Sequence, residues 1–299
     1  MWQSIRSGAA GIAAVFVVAA CCMGGPARAE TWRIETWRIE TDDGARKVSV
    51  HPAPVEPAPT VVMLHGAVNS AGWAAWRFGF REAAAARGFA AAFPQGLGLR
   101  WNDGRHNRTG SRTDDVAFLR QLAVDLVERG VAKPDRIYVA GVSNGGMMAL
   151  RLVCERADFI AGVGTVIASM PAAVGTDCRP IRPVPVVMFN GTADRLVPYE
   201  GGRIGLFNLG GTVWGAEWTA GFLADANRCG PEPESEDAIF GRTSVTRLMW
   251  TGCARNATVT LYRMNGVGHT VPGRRRLLEG RRSAELSAAE TILAAFARE

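Results

Sequence analysis

The sequence has no strong excess of charge of either sign and, beyond its first 30 residues, no long uncharged hydrophobic run. Of 299 residues, 34 are Lys or Arg and 28 are Asp or Glu, and the positive residues are scattered among the acids. A nucleic-acid-binding protein would carry a basic patch or stripe, so this class is disfavoured. A membrane span needs about 18 or more consecutive apolar residues, so none is expected. With 47% hydrophobic residues, the chain still has enough apolar surface for a folded core.

The chain also lacks any cluster of His, Cys and carboxylate residues at the spacing of metal ligands. We therefore expect no metal site, and the chemistry inferred below requires no cofactor. No Ser/Thr/Gly-rich linker or change of composition follows residue 273, so no appended binding module is expected. The arginine runs at 274–276 and 281–282 are typical of a solvated surface.

The first 29 residues have the pattern of a secretory signal peptide. Arg6 supplies the positive start, residues 8–23 are apolar and uncharged, and Ala27-Arg28-Ala29 is a cleavage site between small residues. We therefore expect a secreted or periplasmic protein. Residues 18–21 also resemble a bacterial lipobox, in which case Cys21 would carry a lipid anchor.

Cleavage of the signal peptide leaves four cysteines, Cys154, Cys178, Cys229 and Cys253. An even number of cysteines in an oxidising compartment predicts two disulfides. Four cysteines allow three connectivities. The pairs Cys154–Cys178 and Cys229–Cys253 each span the same number of residues between neighbouring predicted elements, which favours this connectivity. Sequence alone leaves the pairing open.

The pattern from residue 60 onward alternates short apolar runs with longer amphipathic stretches. This alternation predicts a doubly wound α/β fold, in which helices cover both faces of a mostly parallel sheet. We expect one catalytic domain over residues 30–299, with a duplicated pentapeptide at 31–40 as an edge strand and a solvated loop at 232–237. Predicted strands are 60–64, 90–93, 136–140, 162–168, 184–189, 244–250 and 258–262, and predicted helices are 74–87, 114–129, 145–154, 212–227 and 284–296.

Gly141-Val-Ser143-Asn-Gly145 is a G-x-S-x-G motif between a predicted strand and a predicted helix. It follows the predicted strand at 136–140 and opens a predicted helix. A strand–turn–helix setting is the one that a nucleophile elbow requires, because the sharp turn pushes the serine hydroxyl out of the sheet. We therefore predict Ser143 as a nucleophile.

A serine hydroxyl is a weak nucleophile at neutral pH and needs a neighbouring base, for which imidazole is suited. The chain has four histidines, and in this fold the order along the chain is serine, acid, histidine. His51 lies in a proline-rich segment, His65 ends a buried strand and His106 lies in a polar loop. Only His269 follows Ser143, which makes it the predicted base.

The acid that orients the imidazole should lie between Ser143 and His269, just beyond the carboxyl end of a strand. Asp194 follows the predicted strand at 184–189 and is the predicted acid, with Glu200 or Asp177 as alternatives. Its role would be to hold the imidazole tautomer and stabilise the imidazolium.

Acyl transfer also needs backbone donors aimed at the developing oxyanion. We expect one from the amide of Asn144, directly after the nucleophile, and one from Ala67 in the turn after the first core strand. His65 is interpreted as a structural imidazole that braces this turn. Trp101 either walls the substrate pocket or covers an edge of the core.

Five segments together resemble one known group of proteins. They are Leu64-His-Gly66, Asp114-Asp-Val-Ala-Phe118, residues 135–147, Asn190-Gly-Thr-Ala-Asp194 with Val197-Pro-Tyr199, and Gly268-His-Thr-Val-Pro-Gly273. Residues 58–298 are similar to the polyhydroxybutyrate depolymerase and feruloyl esterase group of secreted α/β-hydrolases. The resemblance implies the α/β-hydrolase fold, the triad Ser143, Asp194 and His269, and a Cys229–Cys253 bridge near the acyl pocket.

The resemblance also has one departure that bears on the substrate. The group commonly has tryptophan where this chain has Val271, so the pocket wall beside His269 should be smaller and less able to stack on an aromatic acid. We therefore expect a serine carboxylic-ester hydrolase acting on short hydroxyalkanoates or related small esters. Alternatives are a feruloyl or acetylxylan esterase, a peptidase on the same scaffold, and a secreted binding protein without activity.

Overall fold

A twisted sheet at the centre of the molecule sets the position of every candidate site residue. The computed structural model describes residues 33–105, 112–205, 210–273 and 286–298. Within them, ten strands form one sheet in the order β1-β2-β4-β3-β5-β6-β7-β12-β11-β10. The strands of this sheet are β1 Glu35–Ile39, β2 Arg46–His51, β3 Ala58–Leu64, β4 Ala90–Pro94, β5 Ala132–Val142, β6 Gly162–Val166, β7 Val186–Gly191, β10 Glu234–Phe240, β11 Thr243–Trp250 and β12 Val259–Met264.

The central part of the sheet is parallel from β4 through β3, β5, β6 and β7 to β12. The outer strands β1, β2, β11 and β10 pair antiparallel. Parallel strands run in one direction, so the carboxyl ends of β3, β5, β7 and β12 meet at one edge of the sheet. The segments that carry Ala67, Ser143, Asp194 and His269 all leave the sheet at this edge.

Helices cover both faces of the sheet, as the predicted doubly wound α/β fold requires. Side chains from α3, α4 and α6 pack with Val62 and Leu64 on one face. Side chains from α1, α2 and α7 pack with Val61 and Met63 on the other, because successive residues of a strand point to opposite faces. The helices are α1 Ala71–Arg77, α2 Phe80–Ala86, α3 Asp115–Glu128, α4 Asn144–Arg156, α5 Ala172–Asp177, α6 Ala216–Ala226 and α7 Ala288–Phe296.

Several predicted elements differ from the structure at their bounds, and in three of them the kind or number of elements differs. The helix predicted at 74–87 is two helices, because Gly79 has φ 78° and ends the first one. The helix predicted at 212–227 begins at Ala216, since β9 (Thr212–Val213) pairs with β8 (Gly202–Arg203) instead. The loop predicted at 232–237 is wrong, because Glu234–Phe240 is the edge strand β10.

Two disulfides tie segments that follow helices. Cys154 near the end of α4 is bonded to Cys178 after α5, and Cys229 after α6 is bonded to Cys253 after β11. This is the pairing that the sequence intervals favoured. No helix in the described ranges is long and apolar enough to cross a membrane. The predicted signal peptide and Cys21 lie outside those ranges.

Candidate active site

Ser143 occupies the sharp turn between β5 and α4. Its φ of 53° lies in the left-handed region, which is rare for a residue with a side chain and typical of a nucleophile elbow. The turn packs tightly against β3, since a Cβ on Gly145 would lie 2.4 Å from the Leu64 carbonyl oxygen. Glycine at this position therefore allows the elbow to approach the sheet.

His269 reaches the same edge from the turn after β12. The Ala193 amide donates to the Val267 carbonyl over 3.0 Å, which joins the turn before His269 to the segment that carries Asp194. A Cβ on Gly191 would lie 2.2 Å from Val267 O, so only glycine permits this approach. The end of β7 thus positions both the candidate acid and the candidate base.

The side chains of Ser143, His269 and Asp194 lie in hydrogen-bonding sequence. With the ring proton on Nδ1, His269 donates to Asp194 Oδ2 over 2.7 Å, and its Nε2 accepts from the Ser143 hydroxyl over 3.2 Å. Asp194 is buried, with its side chain 2% exposed, whereas the His269 side chain is 21% exposed. This arrangement allows a proton to move from the serine hydroxyl to the imidazole while the carboxylate fixes the ring.

Asp194 is itself held in place by the backbone. Its Oδ1 accepts from the amides of Leu196 over 2.8 Å and Val197 over 2.9 Å, which leaves Oδ2 for His269. The two alternative acids, Glu200 and Asp177, are both exposed and neither contacts His269 in the described residues. The structure therefore brings Asp194, and not these two, to the imidazole.

Ala67 and Asn144 both line the cavity that contains Ser143 and His269. Asn144 is the first residue of α4, where backbone N–H groups have no partner within the helix. The Ala67 amide donates to no acceptor in the part of the chain that the structure describes. Both are therefore available as donors to an oxyanion.

His65 braces the turn that carries Ala67. Its ring is fully buried, donates from Nδ1 to the Gly66 carbonyl over 2.8 Å, and accepts at Nε2 from the Gly96 amide over 3.0 Å. Burial lowers the pKa of His65 below its usual value, which favours the neutral ring that both bonds require. Of the other histidines, His51 is buried in β2, and His106 lies outside the described residues.

Trp101 has no place in the substrate pocket, and that part of the prediction is wrong. The side chain is 1% exposed and stacks on Phe118 with ring centroids 6.4 Å apart. Its indole N–H donates to the His65 carbonyl over 2.9 Å. Trp101 therefore supports, from inside the core, the turn that carries the candidate oxyanion donor Ala67.

The candidate active site opens into a cavity of about 420 Å³ whose walls are partly polar and partly apolar. Val271 lines the cavity, as predicted from its place beside His269. Arg105 also lines it, and its guanidinium forms an ion pair with Asp103. Sequence reasoning missed Trp73 and Phe78, which also line it and meet edge to face at 5.4 Å. Because the predicted helix began at residue 74, Trp73 was left outside any element.

The Cys229–Cys253 bridge does not lie near this cavity, contrary to what the family resemblance implied. Neither cysteine is among the residues that line it. Cys253 comes shortly after Trp250, the last residue of β11. Trp250 lies opposite Val259 of β12, and Val259 in turn lies opposite Val186 at the start of β7. The bridge therefore sits at the end of β7 opposite to Asp194.

A serine at a strand–helix elbow, with a histidine and a buried carboxylate behind it on a doubly wound sheet, defines the class of serine hydrolases with an α/β fold. Among the described residues, no group of three or more His, Cys, Asp or Glu side chains could hold a metal ion. Comparisons with known proteins place the chain within this class. Residues 61–288 match the Alpha/beta hydrolase family, and the chain belongs to that family.

Relatives of this chain have esterase names. NocK of Nocardia uniformis subsp. tsuyamanensis, described as an esterase, is 32% identical over 272 residues, which are 83% of this chain and 78% of that protein. Feruloyl esterase B of Piromyces equi is 31% identical over 71% of this chain and 39% of its own length. Poly(3-hydroxybutyrate) depolymerase of Ralstonia pickettii is 34% identical over 31% of this chain and 20% of its own length. The chain is thus an esterase-type α/β hydrolase, and the resemblance found in its sequence is confirmed.

Among solved structures, acetyl xylan esterase from Aspergillus awamori has the same fold. The two superpose with a TM-score of 0.54 over 80% of this chain and 95% of that structure. The sequence identity is 12%, so the similarity shows the fold alone.

Proposed function

We propose that Ser143, His269 and Asp194 are the catalytic triad of a secreted serine carboxylic-ester hydrolase. The observation that carries this proposal is the continuous contact from the Ser143 hydroxyl through the imidazole to the buried carboxylate, over 3.2 Å and 2.7 Å. An alcohol becomes reactive towards an ester carbonyl when a base within hydrogen-bonding distance accepts its proton.

In this mechanism Ser143 attacks the ester carbonyl while His269 takes the hydroxyl proton. The negative charge that develops on the carbonyl oxygen is stabilised by the amides of Ala67 and Asn144. His269 then gives the proton to the departing alcohol, and an acyl group remains on Ser143. A water molecule, deprotonated by His269, attacks this acyl-enzyme and releases the acid. Asp194 holds the ring in the required tautomer throughout without taking the proton.

The proposed substrates are short hydroxyalkanoate esters or related small esters. A cavity of about 420 Å³ can enclose a few acyl carbon atoms, and its walls at Met147, Ile204 and Val271 are apolar. The similarity to a poly(3-hydroxybutyrate) depolymerase supports this chemistry.

A second candidate is an esterase that acts on feruloyl or acetyl groups of plant polysaccharides. Trp73 is 39% exposed and, with Phe78, gives the cavity an aromatic wall. A planar aromatic acid could stack there, although Val271 stands where the family commonly has tryptophan. The similarity to feruloyl esterase B supports this candidate.

A substrate panel separates these possibilities. Wild type and Ser143→Ala would be assayed with p-nitrophenyl esters of increasing acyl length, methyl ferulate, hydroxybutyrate oligomers and a peptide amide. We expect wild type to prefer short acyl chains and Ser143→Ala to be inactive. A clear preference for methyl ferulate would favour the second candidate. Cleavage of the peptide amide alone would identify a peptidase, and an inactive wild type would point to a binding protein.

We also propose that residues 1–29 are a signal peptide and that residues 30–299 form one catalytic domain. The two disulfides support export, because such bonds persist in oxidising compartments. Residues Trp32–Glu299 group into one compact unit, which supports a single domain. Amino-terminal sequencing of the exported protein should start at Glu30. A start at Cys21 with an attached lipid would show the lipoprotein alternative instead.

A further inference from the structure

We infer that Asp103 is a positioning residue for ester hydrolysis, because its carboxylate fixes the side chain of Asn144. The inference rests on the proposed function, in which the backbone N–H of Asn144 stabilises the oxyanion. Asp103 itself does not line the cavity and does not touch Ser143 or His269. It would act on the reaction through Asn144.

The Asn144 side chain is held by three hydrogen bonds, although it is the first residue of a helix. Its Nδ2 donates to Asp103 Oδ2 over 2.6 Å and to the Trp101 carbonyl over 3.0 Å, and its Oδ1 accepts from the Trp101 amide over 2.8 Å. Asn144 is 3% exposed, so these bonds are shielded from water. Because the side chain cannot rotate, the peptide group between Ser143 and Asn144 has little freedom to turn.

The Asp103 carboxylate is buried and needs a balancing charge. Arg105 supplies it: Nε donates to Oδ1 over 2.9 Å and to Oδ2 over 2.8 Å, and Nη2 lies 2.6 Å from Oδ2. Burial of a carboxylate is costly unless it is paired and hydrogen-bonded, and charge-assisted bonds are stronger than neutral ones. The bond from Asn144 to this carboxylate is therefore a strong restraint. Arg105 also donates to the Gly210 carbonyl over 2.8 Å, which fixes the guanidinium at the cavity wall.

The segment 101–105 has anchors other than Asn144. The Asn102 amide donates to Asp115 Oδ2 over 2.5 Å, and the buried pair of Asp115 and Arg46 fixes that carboxylate to β2. Arg151 of α4 donates to the Asn102 carbonyl over 2.7 Å. Because these anchors remain, removal of the Asp103 carboxylate should loosen Asn144 without releasing the segment, since Asn144 then keeps only its two bonds to the Trp101 backbone.

The expected effect is on turnover. An oxyanion donor must lie about 2.7–3.1 Å from the developing charge, and the loss of one donor costs roughly 100- to 1,000-fold in kcat. A donor that is displaced and not removed should cost less, so we expect kcat to fall about 10- to 100-fold. The KM should change little, because the oxyanion charge is absent in the bound ester.

The test uses Asn144→Ala, Asp103→Ala and Asp103→Asn, with Arg151→Met as the matched control. Arg151 anchors the same segment from the same helix but does not touch Asn144. The kcat and KM for p-nitrophenyl acetate would be measured per active site titrated with a fluorophosphonate. The inhibition constant for a boronic acid, which forms a tetrahedral adduct with serine, would be measured in parallel.

We expect both alanine variants to lose kcat within a range of about 10- to 100-fold, with boronic-acid affinity reduced by a similar factor. Asn144→Ala should lie towards the upper end, because it loses three bonds, and Asp103→Ala towards the lower end, because it loses one. Asp103→Asn keeps an acceptor and should retain more activity than Asp103→Ala. The double variant Asp103→Ala with Asn144→Ala should be no worse than Asn144→Ala alone, because Asp103 then has no Asn144 side chain left to hold.

Three results would overturn the positioning role. They are a kcat per titrated site within twofold of wild type in Asp103→Ala, a rise in KM at unchanged kcat, and an equal loss in Arg151→Met. Should Asp103→Ala fail to fold, Asp103→Asn takes its place, and a kcat per titrated site equal to that of wild type would then count against the role. An inactive wild type would refute the proposed function and this role with it, whereas active, unaffected variants would refute the role alone.

Discussion

Replacement of Asp194 by Asn should remove almost all activity while leaving the fold intact. In wild type, Asp194 Oδ1 accepts from the amides of Leu196 and Val197 over 2.8 Å and 2.9 Å, and Oδ2 accepts from His269 Nδ1–H. The two amides require an oxygen, so the asparagine Oδ1 should stay with them. The Nδ2 group, a donor, must then face His269 Nδ1.

This orientation forces the His269 imidazole into the other neutral tautomer. The ring nitrogen facing Nδ2 has to accept, so the proton moves to Nε2, which then points a hydrogen at Ser143 and cannot take the hydroxyl proton. Loss of the correct tautomer in a serine triad lowers kcat by about 10⁴-fold, or about 5 kcal/mol in the barrier. The loss should therefore far exceed that expected for Asp103→Ala.

The assay is the kcat/KM for p-nitrophenyl acetate at neutral pH, together with thermal unfolding. Glu200→Gln is the matched control, since Glu200 is an exposed acid close to Asp194 in the sequence and was one of the two alternatives to it. We expect the control to retain wild-type activity. Activity of Asp194→Asn within tenfold of wild type, or a loss of activity in the control, would refute the assignment of Asp194.

Further predictions concern the stability of the fold and the close contact between Gly191 and the Val267 carbonyl. Burial lowers the pKa of His51 from 6.5 to about 4, so unfolding takes up a proton between these values and stability falls as the pH drops from 6.5 towards 4. Denaturant titrations should show a loss of up to about 3 kcal/mol that is absent in His51→Gln. In activity assays, Gly191→Ala should lower kcat/KM more than tenfold, because a Cβ there would meet a carbonyl oxygen at 2.2 Å. The control Gly221→Ala meets nothing within 4 Å in α6 and should be fully active and about 0.5–1 kcal/mol more stable. Replacing both Cys154 and Cys178 by alanine should lower the unfolding free energy by about 3 kcal/mol in the same titrations, because an unfolded-state loop is no longer closed.

The parallel core could be predicted from sequence because its strands are short apolar runs buried on both faces. Thr60 to Leu64 is such a run, and the structure extends it only to Ala58. The edge strand β10 has no such signal, because five of its seven residues are exposed and three of those are charged. The break at Gly79 was missed because alanines on both sides continue a helical composition.

Candidate site residues could be predicted from the sequence where the fold fixes their order along the chain. Ser143, Asp194 and His269 follow from the elbow motif, the strand end and the order along the chain, and the structure brings their side chains together. Trp73 and Asp103 could not be found in this way, because their roles depend on which segments meet in space. Neither residue has a motif that distinguishes it from other surface tryptophans or loop aspartates.

The most direct test of the central claim is to identify the residue that becomes covalently bonded. The protein would be treated with a fluorophosphonate and digested, and the modified peptide would be sequenced by mass spectrometry. We expect a single adduct on Ser143, formed in wild type and absent from both Ser143→Ala and acid-denatured protein. An adduct on a different residue, or no adduct on a wild-type chain that hydrolyses esters, would contradict it.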